Sequence, residues 1–324
     1  MSEKMRRIGI LTSGGDAPGM NAAIRAAVRT CAENDVVPVG IFRGYNGLIH
    51  ADVKELDSQD VNGLQRLGGT MLYTARSDAF RTEEGQKRAV DTCKYLGIDG
   101  IIAIGGDGTF RGARELCKRG VNTVCIPGTI DNDIGCTTYS IGFDTAANTA
   151  IDAIDKLSDT MQSHERCSVV EVMGRDAGHL AVYVGLAVGA TAILIPEKPV
   201  NFEEDVLEPI REGKYRGKHH FLIIVAEGVG NTNEIAEHIR QETGIETRVS
   251  IIGHMQRGGS PTARDRGMAT RMGHFAVEEL LAGNSNLVVC YRESRICTVP
   301  IDEALEMKKD LDPYMYRVAK EVSL

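Results

Sequence analysis

The 324-residue sequence lacks an apolar run long enough to span a membrane. Residues 180–196 carry no Asp, Glu, Lys or Arg, but a spanning helix needs ~20 apolar residues, and Gly185 and Gly189 interrupt this shorter run. The run favours a buried helix followed by a core strand. The N-terminus also lacks the apolar region of a signal peptide. We therefore expect a cytoplasmic protein without a membrane segment.

A basic excess is also missing. The chain has 37 Lys and Arg against 45 Asp and Glu, which gives a formal charge of −8. Because nucleic-acid binders rely on a basic face, this balance argues against a nucleic-acid partner. Any phosphate group in the function must then be bound by a few local cations and backbone N–H groups.

Cysteine spacing of the zinc-binding kind is absent as well. The eight cysteines include no CxxC pair, and no histidine lies at zinc-ligand spacing from them. Most lie in apolar runs, which is typical of reduced core residues in a cytosolic protein. They are Cys31, Cys93, Cys117, Cys125, Cys136, Cys167, Cys290 and Cys297.

No linker, low-complexity run or fixed-period repeat divides the chain. Short apolar runs rich in β-branched residues alternate with helical patterns, which predicts an α/β fold with parallel strands covered on both faces. The predicted strands are residues 7–11, 36–42, 100–104, 122–126, 167–172, 191–195, 221–226 and 249–252. The predicted helices include residues 20–33, 83–96, 145–161, 234–242 and 264–281. The pattern leaves open whether the strands form one sheet or two α/β lobes.

Two glycine-rich loops follow predicted strands and open helices, where doubly wound folds bind their ligands. In TSGGDAPGMN, residues 12–21, Gly14 and Gly15 permit an anion to approach a helix N-terminus, although an ordinary tight turn explains the same pattern. IGGDGTFRG, residues 104–112, has neither a Walker A pattern nor GxGxxG spacing. It presents Asp107 between glycines, and Mg²⁺ prefers a carboxylate with water and phosphate oxygens. Asp107 is therefore a candidate magnesium ligand in phosphoryl transfer.

Carboxylates and cations follow further predicted strands. In IPGTIDNDI, residues 126–134, Asp131 and Asp133 belong either to an Asx-rich turn or to a general base beside a second acid. EVMGRDAG and GHMQRGG place Arg175, His254 and Arg257 in glycine-bounded loops. Because Arg binds phosphate oxygens bidentately, two such loops favour a phosphate site over solvated surface cations.

Taken in series, TSGGDAPGMNAAIR, GGDGT, PGTIDND, VVEVMGR and GHMQRGGSP resemble the motifs of the ATP-dependent 6-phosphofructokinase family in its bacterial short-chain form. The resemblance covers essentially the whole chain. It implies two stacked α/β lobes with mostly parallel sheets, one binding nucleotide (residues 1–141 and 254–305) and one binding sugar phosphate (residues 142–253 and 306–324). It also implies a homotetramer that phosphorylates fructose 6-phosphate with ATP and Mg²⁺ in glycolysis.

The resemblance implies a role for each matching residue. Asp131 would take the proton of the sugar 1-hydroxyl beside Thr129 and Asp133, and Arg175 would neutralise the phosphoryl group in transfer. The ATP phosphates would lie among Gly15, Arg76, Gly106, Asp107, Gly108 and Thr109, with Asp107 on Mg²⁺. The sugar would contact Thr129, Ile130, Asp131, Met173, Gly174, Arg175, Glu227, Met255 and Gln256. Its 6-phosphate would bind His254 and Arg257 of one subunit and Arg166 and Arg248 of a neighbour.

Two alternative functions deserve comparison with this one. The resemblance implies that pyrophosphate-dependent phosphofructokinases carry an acidic residue in place of Gly108 and Lys in place of Gly128, so the two glycines favour ATP. A catalytically silent sugar-phosphate sensor would have lost the base or the metal carboxylate, whereas Asp107, Asp131 and Asp133 are all present.

The effector site of the family, which binds ADP or phosphoenolpyruvate, is matched only in part. Arg25, Arg29 and Lys218 match its cations, and Arg216 and His219 lie nearby in the sequence. Three positions depart from the pattern. Ser58 and Ser158 stand where the family has arginines, and Thr191 stands where it has a glutamate. We expect a weakened or altered response to both effectors, with ADP or another anion on the remaining cations. Two alternatives stay open, namely that Arg216 or His219 compensates, or that the match to the family pattern near Ser58 is shifted by a residue or two.

Overall fold

A computed structural model of the chain describes residues 5–323. They divide into two compact units. The first unit comprises the chain up to Thr129, Ile134–Thr145 and Arg257–Lys309, and the second comprises Ile130–Asp133, Ala146–Gln256 and the chain from Asp310 onward. The predicted lobes change at residues 141, 253 and 305, and their assignment to nucleotide and sugar phosphate stays a prediction.

Eleven strands lie within residues 5–323 and form two sheets. They are β1 Arg7–Thr12, β2 Val37–Ile41, β3 Val53–Glu55, β4 Gly100–Gly105, β5 Asn122–Pro127, β6 Cys167–Val172, β7 Ala192–Leu194, β8 Phe221–Ala226, β9 Thr247–Ile251, β10 Leu287–Arg292 and β11 Arg295–Pro300. The α-helices in the same part of the chain are α1 Met20–Glu33, α2 Gly44–His50, α3 Glu83–Leu96, α4 Asp107–Cys117, α5 Phe143–Ser163, α6 His179–Ala187, α7 Glu208–Tyr215, α8 Thr232–Thr243, α9 Ala263–Leu281, α10 Ile301–Glu306 and α11 Pro313–Glu321.

The sheet of the first unit has the order β11-β10-β5-β4-β1-β2-β3. Neighbours from β10 to β2 are parallel, whereas the edge strands β3 and β11 are antiparallel to their partners. Every residue of β4 is buried, which agrees with a central strand covered by helices on both faces. A core cluster joins the sheet to α4 through Leu11, Ile101 and Phe110.

The second unit contains a four-stranded parallel sheet of order β7-β8-β6-β9 in the described residues. Its core is formed by apolar side chains of the strands with Ile210 of α7, Ile239 of α8 and Val206 of the short π-helix Glu203–Leu207. The register pairs Val172 with Ala226 and Glu171 with Ile251, so β6, β8 and β9 end at the same edge.

The predicted α/β class is confirmed, and the question of one sheet or two is answered by two sheets. All eight predicted strands are present, and the charge-free run at residues 180–196 forms most of α6 followed by β7. The prediction missed β3, β10 and β11, which include both antiparallel edges of the larger sheet. Across the described chain, no helix has the length and apolar composition that a membrane crossing requires.

A fully buried carboxylate at Asp265 ties α9 to residues 139–145, which lead into α5. Its oxygens accept hydrogen bonds from Gly142 N at 2.8 Å, from Tyr139 Oη at 2.5 Å, and from Thr145 N and Oγ1 at 2.8 and 2.5 Å. Burial raises the pKa of Asp265, and these hydrogen bonds oppose the rise. This one side chain therefore satisfies donors from three residues in the interior of the first unit.

Replacing this carboxylate should be costly because its donors would be left buried without acceptors. We expect Asp265→Ala to lower the free energy of unfolding by about 3 kcal/mol or more, detected as a lower midpoint of thermal unfolding. Glu278→Ala, which removes a half-exposed carboxylate from the same helix, should change stability by no more than about 0.5 kcal/mol. Equal midpoints for the two variants would contradict this role of Asp265.

Candidate active site

Three neighbouring parallel strands of the first unit end at one edge of their sheet. Thr12 of β1 pairs with Ile104 of β4, and Gly105 of β4 pairs with Pro127 of β5. The loops that follow therefore emerge side by side, as expected for ligand-binding loops of an α/β sheet. They are residues 13–16, 106–109 and 128–129.

Close backbone contacts hold these loops together. Ser13 N donates to Ile104 O at 3.0 Å, Thr109 Oγ1 donates to Ser13 O at 3.0 Å, and Gly128 N donates to Gly105 O at 2.9 Å. A Cβ at Gly105 would collide with Ser13 O and Thr109 Oγ1, so only glycine permits this approach. The amide of Thr109 also donates to Gly106 O, so both of its donors are used to hold the loops.

Asp107 and Gly108 open α4 at this edge and are exposed. The first amides of a helix have no acceptor within it, and Gly108 lies in that first turn, where anions bind favourably. A Cβ at Gly108 would meet no atom within 4 Å, and no positive φ is required there. Packing therefore does not require a glycine at position 108. Because Gly108 has no side chain, the space beside Asp107 is open.

The donor set around Asp107 fits a magnesium ion that is shared with a polyphosphate. Nowhere in residues 5–323 do three or more His, Cys, Asp or Glu side chains cluster as a metal cage. Mg²⁺ usually binds one or two carboxylates and completes its shell with water and substrate phosphate oxygens. An exposed carboxylate at a helix start with open space beside it meets this requirement.

One cation, Arg257, contacts the first loop, and the segment that carries a second, Arg76, is hydrogen-bonded to it. Thr74 Oγ1 donates to Gly14 O at 2.6 Å and so anchors the segment that carries Arg76, whose exposed side chain has no ion pair with any described residue. Arg257 Nη1 donates to Asp16 O at 3.2 Å, and a Cβ at Gly15 would lie 2.5 Å from the same Nη1 atom. The structure thus places Arg257, predicted to bind the sugar 6-phosphate, against the predicted ATP residue Gly15.

The segment after β5 carries the candidate base. Thr129 and Asp131 are buried, with Asp131 only 6% exposed, and Asp133 is half-buried. Asn132 between the two carboxylates has φ of 51°, a left-handed conformation that Asn tolerates better than most residues. Ser140 Oγ donates to Thr129 O at 2.8 Å and holds the start of this segment.

In the second unit, the ends of β6, β8 and β9 bring four predicted sugar-site residues together. Glu227, directly after β8, accepts a hydrogen bond from Arg175 N at 2.5 Å. Gln256 Oε1 accepts one from Met173 N at 2.8 Å. Arg175 has φ of 58°, and such strain in a residue other than glycine concentrates at functional sites. Its exposed side chain, next to Gly174, forms no ion pair within the described chain.

Gln256 leaves an unsatisfied donor at this edge. The side chain is fully buried, and Nε2 has no hydrogen-bond partner among the described residues. A buried donor without an acceptor costs about 1–3 kcal/mol. His254 and Met255, in the same short 3-10 helix Gly253–Arg257, are exposed.

The structure does not bring Arg166 and Arg248 to this edge. Arg166 directly precedes β6 and Arg248 is the second residue of β9, so both lie at the amino ends of the strands, and six-residue β6 spans ~20 Å. Their side chains donate to opposite oxygens of Glu246, from Arg166 Nε at 2.8 Å and from Arg248 Nη2 at 2.5 Å. The hydrogen bond from Arg166, with a smaller contribution from that of Arg248, lowers the pKa of Glu246.

Sequence reasoning missed Glu246, although its two-residue spacing from Arg248 was a usable signal. On a strand, residues two apart share a face. The two arginines predicted to reach a neighbouring subunit are therefore held as a pair by one carboxylate.

The candidate effector cations are divided between the units. In the first unit, Arg25 and Arg29 lie one turn apart on α1, and their Nε atoms are buried without hydrogen-bond partners in the described chain. Burial, together with the like charge of Arg29, lowers the pKa of Arg25. No ion pair neutralises either cation within residues 5–323.

In the second unit, the cations predicted nearby are already engaged. Arg216 pairs with Glu212 at 2.5 Å, and His219 Nδ1 lies 4.0 Å from Glu165 Oε1. Lys218 Nζ donates to Thr191 Oγ1 at 3.2 Å and to Ser323 O at 3.1 Å, and burial lowers its pKa. A threonine hydroxyl thus contacts this ammonium where the family pattern implies a carboxylate.

Comparisons with known proteins identify the family of the chain. The sequence model of the family described as Phosphofructokinase matches residues 7–280. A protein of Clostridium botulinum named ATP-dependent 6-phosphofructokinase is 53% identical over 319 residues, covering 98% of this chain and all of that protein. One of the same name from Brevibacillus brevis is 52% identical over 320 residues, covering 99% of this chain and all of that protein. The crystal structure of Pichia pastoris phosphofructokinase in the T-state matches with a TM-score of 0.89 and 35% identity, covering 94% of this chain and 36% of that one.

The α/β units with glycine and carboxylate loops at their strand ends are thus those of a phosphoryl-transfer enzyme family. The chain belongs to the phosphofructokinase family. Its full-length relatives carry the name ATP-dependent 6-phosphofructokinase, the family that the sequence motifs resemble.

Proposed function

We propose that this chain acts as an ATP-dependent 6-phosphofructokinase, transferring the γ-phosphoryl group of ATP to the 1-hydroxyl of fructose 6-phosphate in glycolysis. The observation that carries the proposal is the 53% identity, over 98% of the chain, to a protein of that name. The retained carboxylates Asp107, Asp131 and Asp133 support catalysis over the silent sugar-phosphate sensor.

The loops of the first unit are proposed to bind the ATP phosphates. Glycines at 15, 106 and 108 let the phosphates approach the backbone, and Arg76 supplies a cation without an ion pair in the described chain. Thr109 acts by holding the first loop to the start of α4, since both of its donors are used there. Asp107 would hold Mg²⁺, which supplies charge neutralisation on the phosphates when bound.

Proton removal is assigned to Asp131. Catalysis of phosphoryl transfer consists mainly of positioning and charge stabilisation, with a carboxylate that accepts the proton of the attacking hydroxyl. Asp131 is proposed to accept the 1-hydroxyl proton, with Thr129 contacting the reacting end and Asp133 as a second acid. Arg175 is proposed to neutralise the transferred group, because guanidinium matches phosphoryl oxygens.

The second-unit residues are proposed to bind the sugar. Met173, Gly174, Glu227, Met255 and Gln256 would line its pocket with Ile130. The 6-phosphate is assigned to His254 and Arg257, with Arg166 and Arg248 supplied by a neighbouring subunit. The position of the last two arginines at the opposite edge of their sheet supports a role outside their own subunit's pocket. The homotetramer and the cytoplasmic location stay predictions.

The choice of ATP over pyrophosphate rests on Gly108 and Gly128. A side chain has room at Gly108, whereas a Cβ at Gly128 would lie 3.1 Å from Met20 Cε. The open space at Gly108 can admit the nucleotide, while an acidic side chain there would repel its phosphates.

An assay of fructose 1,6-bisphosphate formation tests the proposed function directly. With Mg²⁺ present, we expect turnover with ATP and little with pyrophosphate, because no acidic side chain crowds the space beside Asp107. The reverse preference would establish the pyrophosphate-dependent alternative. Binding of fructose 6-phosphate without turnover by either donor would establish the sensor.

The role of Asp131 predicts a kinetic signature. We expect Asp131→Asn to lower kcat by about 10²-fold or more while ATP binding changes little, since the amide cannot accept the proton but keeps the shape. Steady-state kinetics and calorimetric ATP titration measure the two effects. An unchanged kcat would remove Asp131 from the role of base.

Regulation at the effector cations is proposed to be weakened. Two guanidinium groups are missing at Ser58 and Ser158, and each charge-assisted hydrogen bond contributes about 1.5–3 kcal/mol. Arg216 forms an ion pair with Glu212. It could replace a missing arginine at the effector site only by giving up that ion pair. An effector can shift an equilibrium only through its differential affinity, so a weakly bound effector shifts little.

Initial rates against fructose 6-phosphate measure this property. We expect ADP and phosphoenolpyruvate to change the curve weakly, or an alternative anion to act in their place. Strong sigmoidal inhibition by submillimolar phosphoenolpyruvate that ADP relieves would show that the remaining cations form a complete effector site.

A further inference from the structure

Two cysteines lie directly opposite each other in the β10–β11 hairpin. The register pairs Cys290 with Cys297, and opposite residues of an antiparallel pair point to the same face. Their Cα separation is about 4.5 Å or about 5.5 Å, according to the type of pair, and both values lie within the ~4.4–6.8 Å range of disulfides. The backbone separation therefore permits a disulfide between these two residues.

The pair differs in accessibility, which gives a small reagent one point of entry. Cys290 is fully buried in the core of the first unit, whereas Cys297 is partly exposed and packs against the same core. Among the eight cysteines, only Cys117 shares this partial exposure, and its Sγ contacts Thr123 Oγ1 at 2.5 Å.

A third thiol contacts the buried member of the pair. Cys136 and Cys290 share a hydrogen bond, and the pKa of Cys136 is lowered by it, with burial opposing the shift. The same bond and burial raise the pKa of Cys290. Cys290 thus contacts a buried thiol, Cys136, and lies opposite a thiol that solvent reaches, Cys297.

We infer that Cys290 and Cys297 form a reversible disulfide by exchange with a small-molecule disulfide such as oxidised glutathione. The Cys297 thiolate attacks one glutathione sulfur, forming a mixed disulfide and releasing one glutathione thiolate. Cys290, on giving up its proton to a glutathione thiolate released in the reaction, then attacks Cys297 Sγ, which forms the protein disulfide and expels the second glutathione. The two protein thiols are oxidised and one glutathione disulfide is reduced to two thiols, with protons exchanged with solvent.

Hydrogen bonds connect the β10–β11 hairpin to residues 136–138, so a change in the hairpin can displace that segment. Tyr291 O accepts hydrogen bonds from Thr138 N at 3.0 Å and Oγ1 at 2.7 Å, and Tyr291 N donates to Thr137 Oγ1 at 2.9 Å. Arg292 Nε donates to Cys136 O at 2.7 Å. The segment held in this way follows Asp131 and Asp133 in the chain, so a shift of the hairpin should reduce activity; this consequence alone rests on the proposed function.

Peptide mapping by mass spectrometry tests the disulfide independently of activity. After incubation of the full-length protein with oxidised glutathione, we expect a Cys290–Cys297 cross-link that dithiothreitol removes. Cys297→Ser should abolish it, and the matched variant Cys117→Ser should keep it. A mixed disulfide confined to Cys297, a Cys136–Cys290 cross-link, or no oxidation of the pair would overturn the inference.

The activity consequence is tested on the same samples. Oxidised wild-type protein and Cys117→Ser should lose activity severalfold and regain it on reduction, while Cys297→Ser should keep its activity. Equal losses in all three proteins, or no loss in the cross-linked wild type, would overturn the link between hairpin and activity but leave the mapped disulfide standing.

Discussion

The absence of a side chain at Gly105 allows the loops of the first unit's candidate site to lie against each other. The carbonyl of Ser13 and the hydroxyl of Thr109 occupy the space that a Cβ would need, so the loop after β1 can lie against the start of α4. This contact places Gly15, Asp107 and Gly108 at one sheet edge. The close approach of the backbone at Gly105 thus forms the candidate phosphate site without the help of a ligand.

Much of the fold and site could be predicted because the signals are local. Apolar runs such as residues 100–104 predict buried parallel strands, and the carboxyl ends of such strands predict where Gly15, Asp107, Asp131 and Arg175 would fall. The structure adds how the groups are held, as in the hydrogen bond from Arg175 N to Glu227. That pairing depends on the register of β6 with β8, which no local pattern encodes.

The features that sequence reasoning missed depend on distant contacts or weak patterns. The β10–β11 hairpin lacks the glycine-rich turn that marks most hairpins, since Glu293 and Ser294 adopt positive φ instead. Glu246 gains its meaning only when Arg166, eighty positions away in the chain, lies beside it. Arg257 contacts Asp16 across an even larger separation, so its placement against the first loop had no sequence signal.

The central claim, that the missing side chain at Gly108 admits the ATP phosphates beside Asp107, is tested most directly by the KM for ATP. Gly108→Asp should leave thermal stability unchanged, because the site is open and an acid in the first helical turn is favoured. It should raise the KM for ATP by about tenfold or more, a loss of about 1.4 kcal/mol. Gly267→Asp, at an equally open position of α9, should change neither property. An unchanged KM for ATP in a folded Gly108→Asp protein would contradict the account.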